Sequence, residues 1–360
     1  MRQKFINTPL RGYTRSKSLV GFNLVSDDVV ELWVERLVAN GFRAVGTLDT
    51  LFDVDNMILS LKRAKELGAY AFGALVFCES PVHTDEVYAH TARALVERAD
   101  VDAIMIKDSG ALLTPDRVRT LIPALREAVK LGVDQLHTAI APLASGPAQP
   151  SIQNTIGNLD TMGVHTRIDR DAIDSISTHL AELAEREGKP VGKPQEYEAF
   201  HYQHQMPGGM LENWRFQLEQ AGLLDRFDEI LEEIARVRAE LAWPIMVTPF
   251  SQIVAVQAMM NVVKEERYEV VADEVKLYAL GHFGKLLAPV DGQVLDRIVE
   301  NGSPDIPLKP RTLPETLPGM RKRFPRADDD ELLLRCMFAG KEVDEMLAAS
   351  PMAAAPMVAA

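Results

Sequence analysis

DAIMIKDSGALLTPDRVRT, residues 102–120, reads as a strand handing over to a helix. The apolar run Ala103 to Ile106 ends in Lys107 and Asp108 and passes through a small-residue turn. It then meets Thr114, Pro115 and Asp116, which supply an N-cap, an N1 proline and an early acid. A strand followed so directly by a capped helix is half of a βα unit, and the rest of the fold follows from finding the same unit on either side.

Upstream the unit recurs. Ser26 reads as the N-cap of DDVVELWVERLVANG, with Gly41 as its C′ residue, and FRAVGTL (42–48) is a strand. Asp53 opens VDNMILSLKRAKELG, closed by Gly68; AYAFGALVF (69–77) is the next strand, and VHTDEVYAHTARALVERA (82–99) the next helix. Downstream, VDQLHTAI (133–140) reads as a fifth strand before the loop APLASGPAQPS. Strands alternating with helices predict an α/β fold with a parallel sheet over residues 1–165. Residues 166–303 have apolar residues at helical spacing and read as an α-helical domain. Residues 304–360 read as a proline-rich linker, short helices and a disordered Ala/Pro tail.

Composition narrows the function classes. A chain of 360 residues that is 47% hydrophobic has enough apolar material for a large core. With 39 Lys+Arg against 52 Asp+Glu the formal charge is −13, which repels nucleic acid and anionic membranes. Cys78 and Cys336 form no CxxC pair, and the sequence has no long apolar run, so a soluble cytoplasmic protein without a membrane span is expected.

In parallel α/β folds the functional side chains gather at the carboxyl ends of the strands. That rule selects Asp49, Cys78, Glu79, Lys107, Asp108 and His137. Lysine at such a place neutralises an anion, forms a Schiff base or, as a neutral amine, takes up CO2. The bland alternative is a Lys107–Asp108 ion pair. His83 and His137 are more simply hydrogen-bonded neutral groups, because no HxH or HExxH spacing occurs; HYQH (201–204) abuts QMPGGM, which should break a helix. QMPGGM itself serves either packing or a ligand, and pattern does not decide which.

Several of these stretches together resemble the carboxyltransferase subunits and domains of biotin-dependent enzymes. They are FINTPL, SLVGFNLVSDDVV, DTLFDVDNM, SPVHT, IKDSGALLTP, GVDQLHTAIAP, QMPGGMLENWRFQL and VTPFSQIVAVQAMMNV, in family order from about residue 4 to residue 290. The resemblance covers the pyruvate carboxylase domain, the oxaloacetate decarboxylase alpha subunit and the transcarboxylase central subunit. It implies a TIM-type barrel followed by a helical conserved carboxylase domain, and transfer of CO2 between carboxybiotin and a 2-oxo acid such as pyruvate or oxaloacetate. Lys107 is the counterpart of a carboxylated lysine that binds a divalent metal (Zn, Mn or Co), and Arg15 that of the arginine holding the substrate carboxylate. Asp49 joins Arg15 in substrate binding, and His137 is a weak second metal ligand. Biotin is expected on a partner carrier, with a biotin carboxylase subunit and a homo-oligomer as further partners.

The departures are as specific. The chain begins at what is the third strand in relatives, without their "RDAHQS"-like and "WGGAT"-like strands, and ALREAVKLGVDQ runs past the place of their HxH strand. His137 stands for an aspartate, Gly46 for an arginine and Pro147 for a threonine. An incomplete barrel of about five parallel strands is therefore expected, with VDQLHTAI paired beside DAIMIK and open edges for a neighbour to cover. A degenerate, non-catalytic subunit or assembly partner is the alternative function.

Overall fold

Four parallel strands lie side by side in chain order among the described residues: β1 (Leu10–Arg15), β2 (Phe42–Leu48), β3 (Tyr70–Val76) and β4 (Ala103–Lys107). In the computed structural model the described residues are 7–129, 135–146, 148–194, 196 and 198–349. Crossover helices α1 (Asp27–Ala39), α2 (Val54–Glu66), α3 (Asp85–Ala99) and α4 (Pro115–Val129) follow the strands in turn. The caps form largely as the sequence predicts: Asp53 accepts from Asp55 N, Thr84 from Val87 N and Thr114 from Arg117 N. Ser26 stands at its N-cap, but its hydroxyl donates to the Asp28 carboxylate at 2.5 Å instead of accepting from the helix backbone.

Side chains alternate across a strand, so each β-strand has one face for the helices and one for the barrel interior. A Cβ on Gly12 would meet Leu37 of α1, and one on Gly73 would meet Leu95 of α3, which fixes the helix side. On the other face the register aligns Tyr13, Gly46, Phe72 and Ala103 in one row, and Arg15, Leu48, Ala74 and Met105 in the next. Lys107 pairs with Val76 one row further toward the carboxyl ends. Gly46 has a definite use in its row. Tyr13 and Phe72 stack over it, centroids 5.8 Å apart, and a Cβ there would lie 2.2 Å from the Phe72 ring. The expected result for Gly46→Val is a loss of about 1–3 kcal/mol from overpacking, read as a lower urea midpoint. An unchanged midpoint would show that Phe72 swings away freely.

Among the described residues the expected fifth strand does not form. Residues 130–134 lie outside the described residues; 135–138 are irregular, and Ala139 makes one isolated parallel bridge to Ser151. The described part of VDQLHTAI, 135–140, does not extend the sheet beside β4 and is drawn to β1 instead. Arg11 donates to the Gln135 side chain at 2.5 Å and stands 3.4 Å from His137. Pro147 and the Ala/Pro tail from 350 onward also lie outside the described residues.

The remaining chain is helical: α5 (Ile152–Thr161), α6 (Arg170–Arg186), α7 (His201–His204), α8 (Gly208–Gln220), α9 (Phe227–Glu240), α10 (Phe250–Val263), α11 (Asp273–Ala279) and α12 (Gly292–Asn301). Three short helices close it, α13 (Leu317–Arg323), α14 (Asp329–Met337) and α15 (Gly340–Ala349). One apolar core joins α8 to α12, including Ile230, Ile234, Val254, Tyr278 and Ile298; a second lies between the sheet and α1 to α4. A third, smaller core brings α14 back onto α1 through Leu333, Val30 and Leu32. Arg36 grips Asp330 through two nitrogens, 2.8 and 3.0 Å, and Asp28 accepts from the backbone N–H of Thr316 and Leu317. The segment after the proline-rich stretch is thus packed against the first crossover helix.

Candidate active site

The carboxyl ends of the four strands carry Arg15, Asp49, Cys78 with Glu79, and Lys107 with Asp108. Lys107 and Asp108 do not pair. Successive residues of a strand point to opposite faces, and the Asp108 carboxylate is taken by Leu112 N and Leu113 N, both at 2.8 Å, which holds the turn into α4. Lys107 Nζ instead lies 5.5 Å from the centre of the Tyr13 ring, with no hydrogen bond or ion pair to a described residue. Burial lowers its pKa, and the positive charge of Arg15 lowers it further.

Arg15 caps its own loop. Its guanidinium donates to the carbonyls of Val20 and Gly21, the latter at 2.7 Å, and lies over the Phe22 ring. Its Nε has no partner among the described residues, and the same holds for Tyr13 Oη and Ser109 Oγ. Asp49 is buried and fully engaged. It accepts from Ser16 Oγ at 2.6 Å, Leu51 N at 2.8 Å, Asp53 N at 3.1 Å and Asn56 Nδ2 at 3.2 Å. Burial raises its pKa, and those bonds oppose the rise. Asn56 also donates to Phe283 O at 2.9 Å, so the Asp49 cluster ties the sheet to the helical half. A pocket at that joint is lined by Arg15, Asp49, Leu24, Pro249, Phe250 and Phe283.

The structure therefore brings Lys107 and Arg15 into electrostatic reach of each other, and sets Asp49 on the same pocket wall as Arg15. It does not bring His137 to Lys107 by any described contact; the imidazole stands against Arg11. The divalent metal implied by the resemblance needs several O, N or S donors in one shell. Among the described residues no three His, Cys, Asp or Glu side chains gather in that way. The strand-end carboxylates are spent elsewhere, Glu79 on Arg117 at 2.5 Å and Asp49 and Asp108 as above. This donor set does not fit the metal.

Two features have no local sequence signal. HYQH, which raised the question of a metal, is a peg: His201 Nε2 contacts Gly110 O at 2.5 Å, beside the Lys107 turn, and His204 Nδ1 accepts from Met206 N at 3.0 Å. Gln205, in the left-handed region at φ 53°, donates to Glu79 O at 2.7 Å. Behind them lies Arg238 of α9, fully buried, donating to Cys78 Sγ at 2.9 Å and Glu79 O at 3.0 Å.

Burial, reinforced by the positive charge of Arg238, lowers the pKa of His83 to about 3 and that of His204 to about 4, with His201 adding to the second. Both imidazoles are neutral in the native state and protonate more readily when unfolded. Their contribution is present above about pH 6.5 and is lost as pH falls, each removing about 1.4 kcal/mol per pH unit down to its native pKa. An NMR titration should show His83 and His204 still neutral at pH 5. Protonation of either near pH 6.5 in the folded protein would contradict their burial as the controlling influence.

The sheet, the crossover helices and a strand-end site define an α/β protein of the TIM-barrel type. It matches the carboxyl transferase domain of Rhizobium etli pyruvate carboxylase, solved with pyruvate and biocytin, at TM-score 0.86 and 22% identity, over 99% of this chain and 68% of that one. The model of the "Conserved carboxylase domain" matches residues 202–349. A pyruvate carboxylase subunit of Methanocaldococcus jannaschii is 35% identical over 87% of this chain and 59% of its own length. The 2-oxoglutarate carboxylase large subunit of Hydrogenobacter thermophilus is 30% identical over 84% and 50%, and the methylmalonyl-CoA carboxyltransferase 5S subunit of Propionibacterium freudenreichii subsp. shermanii 30% over 86% and 66%. The chain belongs to the carboxyltransferase family of biotin-dependent enzymes. It spans between half and about two thirds of the length of these curated relatives. Among the described residues no helix is long and apolar enough to cross a membrane.

Proposed function

We propose that the chain is the carboxyltransferase component of a biotin-dependent carboxylase or decarboxylase, moving CO2 between carboxybiotin and a small 2-oxo acid such as pyruvate or oxaloacetate. The observation that carries this reading is the 35% identity over 87% of the chain to a pyruvate carboxylase subunit. Biotin, delivered by a partner carrier and charged by a biotin carboxylase subunit, supplies or accepts the carboxyl group. Arg15 holds the substrate carboxylate, for which a planar guanidinium suits better than an ammonium. Asp49 acts by fixing Ser16, the residue after Arg15, through the 2.6 Å bond from its hydroxyl. Lys107 places a positive charge where the enolate oxygen develops, so that negative charge is stabilised in the transition state more than in the ground state.

The test uses the reverse direction, which needs no partner enzyme. Oxaloacetate and free biotin are incubated with the full chain, and pyruvate is read by coupling to lactate dehydrogenase. Biotin-stimulated pyruvate formation, lost on Arg15→Gln, is expected. Formation no faster than the background without protein would favour the non-catalytic alternative.

A further inference from the structure

We propose that His201 of α7 is a positioning residue for Lys107: by donating to Gly110 O it fixes the turn after β4, so that the helical half sets where the strand-end ammonium sits. His201 Nε2 stands 2.5 Å from the Gly110 carbonyl oxygen, which can only accept, so the imidazole presents its Nε2–H there. Gly110 is buried and lies three residues beyond Lys107. Lys107 Nζ, 5.5 Å from the centre of the Tyr13 ring, has no hydrogen bond or ion pair to a described residue. Its place is therefore set by the backbone at the end of β4.

That backbone needs a hold. Ala111 is in the left-handed region at φ 55°, which a residue with a Cβ enters at a cost, and Ser109 Oγ is buried with no partner among the described residues. Opening the turn would relieve both. Asp108 resists on the α4 side by accepting from Leu112 N and Leu113 N, and Leu112 is anchored in the core between the sheet and its helices. Between Asp108 and Leu112 the hydrogen bond from another element, among the described residues, is the one from His201. Meanwhile α7 is fastened without it. Its C-cap Gln205 donates to Glu79 O at 2.7 Å, Arg238 donates to Gln203 O at 3.4 Å, and His204 Nδ1 accepts from Met206 N at 3.0 Å. Phe200 and His201 both meet the His204 ring edge-on, 5.2 and 5.3 Å between centres. A donor on a helix secured to the end of β3 and to α9 is placed to hold the turn it reaches, and the helix does not need the turn in return.

The inference rests on the role given to Lys107 above, and its readout is the titration of the lysine itself, which is independent of turnover. The full chain is reductively methylated with 13C, and the Lys107 resonance, assigned by its loss in Lys107→Arg, is followed by NMR through the alkaline range. In the native protein it should titrate below the exposed lysines, since burial, and then the charge of Arg15, lower its pKa. His201→Phe keeps a ring and removes the donor; the Lys107 midpoint should then move up toward that of the exposed lysines. His201→Gln, whose amide nitrogen is as many bonds from Cα as Nε2, should bring it back. In the oxaloacetate assay His201→Phe should lower kcat about tenfold to a hundredfold, the cost of misplacing a group by about 1 Å, with KM changed less than about twofold. Thermal melts establish that each variant is folded. A folded His201→Phe protein with the native Lys107 midpoint would overturn the proposal, and so would His201→Gln displaced as far as His201→Phe. If neither His201→Phe nor His201→Ala folds, the bond is a structural one and the proposal fails as well. An upward shift in a chain without biotin-stimulated turnover would uphold the positioning while removing the carboxyltransferase reading.

Discussion

Under the proposed function, Arg15→Gln is expected to lower kcat/KM for the 2-oxo acid by about 10²–10³-fold, and Arg15→Lys to recover little of it. The first figure is the cost of truncating one side of a desolvated charge pair, which commonly lies at about 2–5 kcal/mol. The second follows from geometry. The guanidinium already uses one edge on the carbonyls of Val20 and Gly21, which holds it in place, while Nε is left without a partner among the described residues. An ammonium cannot hold the loop and present a fixed donor at the same time. Because Arg15 also shapes the loop 16–22, a loosened loop and a lost substrate contact have to be separated. A contact made equally in ground and transition states raises KM at constant kcat, whereas one tightening at the enolate lowers kcat. A loss of less than about tenfold in both variants would remove Arg15 from substrate binding.

Much of the strand-and-helix frame around the candidate site was legible in the sequence, for a physical reason. Cap residues act within three or four positions of the helix they start, so Asp53, Thr84 and the Thr114-Pro115 pair announce themselves locally. β2, β3 and β4 announce themselves as apolar runs. β1 does not. LRGYTR alternates inward Arg11, Tyr13 and Arg15 with outward Gly12 and Thr14, so a half-buried strand with a cationic inner face looks like a charged loop. VDQLHTAI errs in the other direction. Its composition suits a strand, but strand formation depends on finding an edge in register, which propensity does not encode. The Lys107–Asp108 pair could have been set aside from the sequence, since neighbours on a strand diverge. The use of Gly46 could not, because Phe72, the ring that fills its space, lies on the next strand and only the register brings them together.

Arg238 shows the limit of that legibility and yields the largest expected effect on stability. In IARVRAEL it looks like any arginine on an amphipathic helix, yet it is fully buried. Its partners come from three segments: Cys78 Sγ and Glu79 O at the end of β3, Gln203 O of α7 at 3.4 Å, and Pro244 O at 3.3 Å, with the Trp243 ring 5.0 Å away. Among the described residues no carboxylate pairs with it, so carbonyl dipoles and the Cys78 sulfur hold the charge. Burial raises the Cys78 pKa, and Arg238 opposes the rise. Methionine at 238 would fill much of the space but leave three carbonyls and the thiol facing an apolar chain. Stranded buried acceptors cost about 1–3 kcal/mol each, with partial relaxation, so Arg238→Met should destabilise by about 3–5 kcal/mol in urea unfolding. Lysine reaches one of those acceptors at a time and should restore only a minor part. Cys78→Ala removes one weak acceptor and should cost less than either. A loss below about 1 kcal/mol for Arg238→Met would mean that the strand ends and the helical half are held together by the Asp49–Asn56–Phe283 tie and the apolar contacts alone, with the buried cation a passenger.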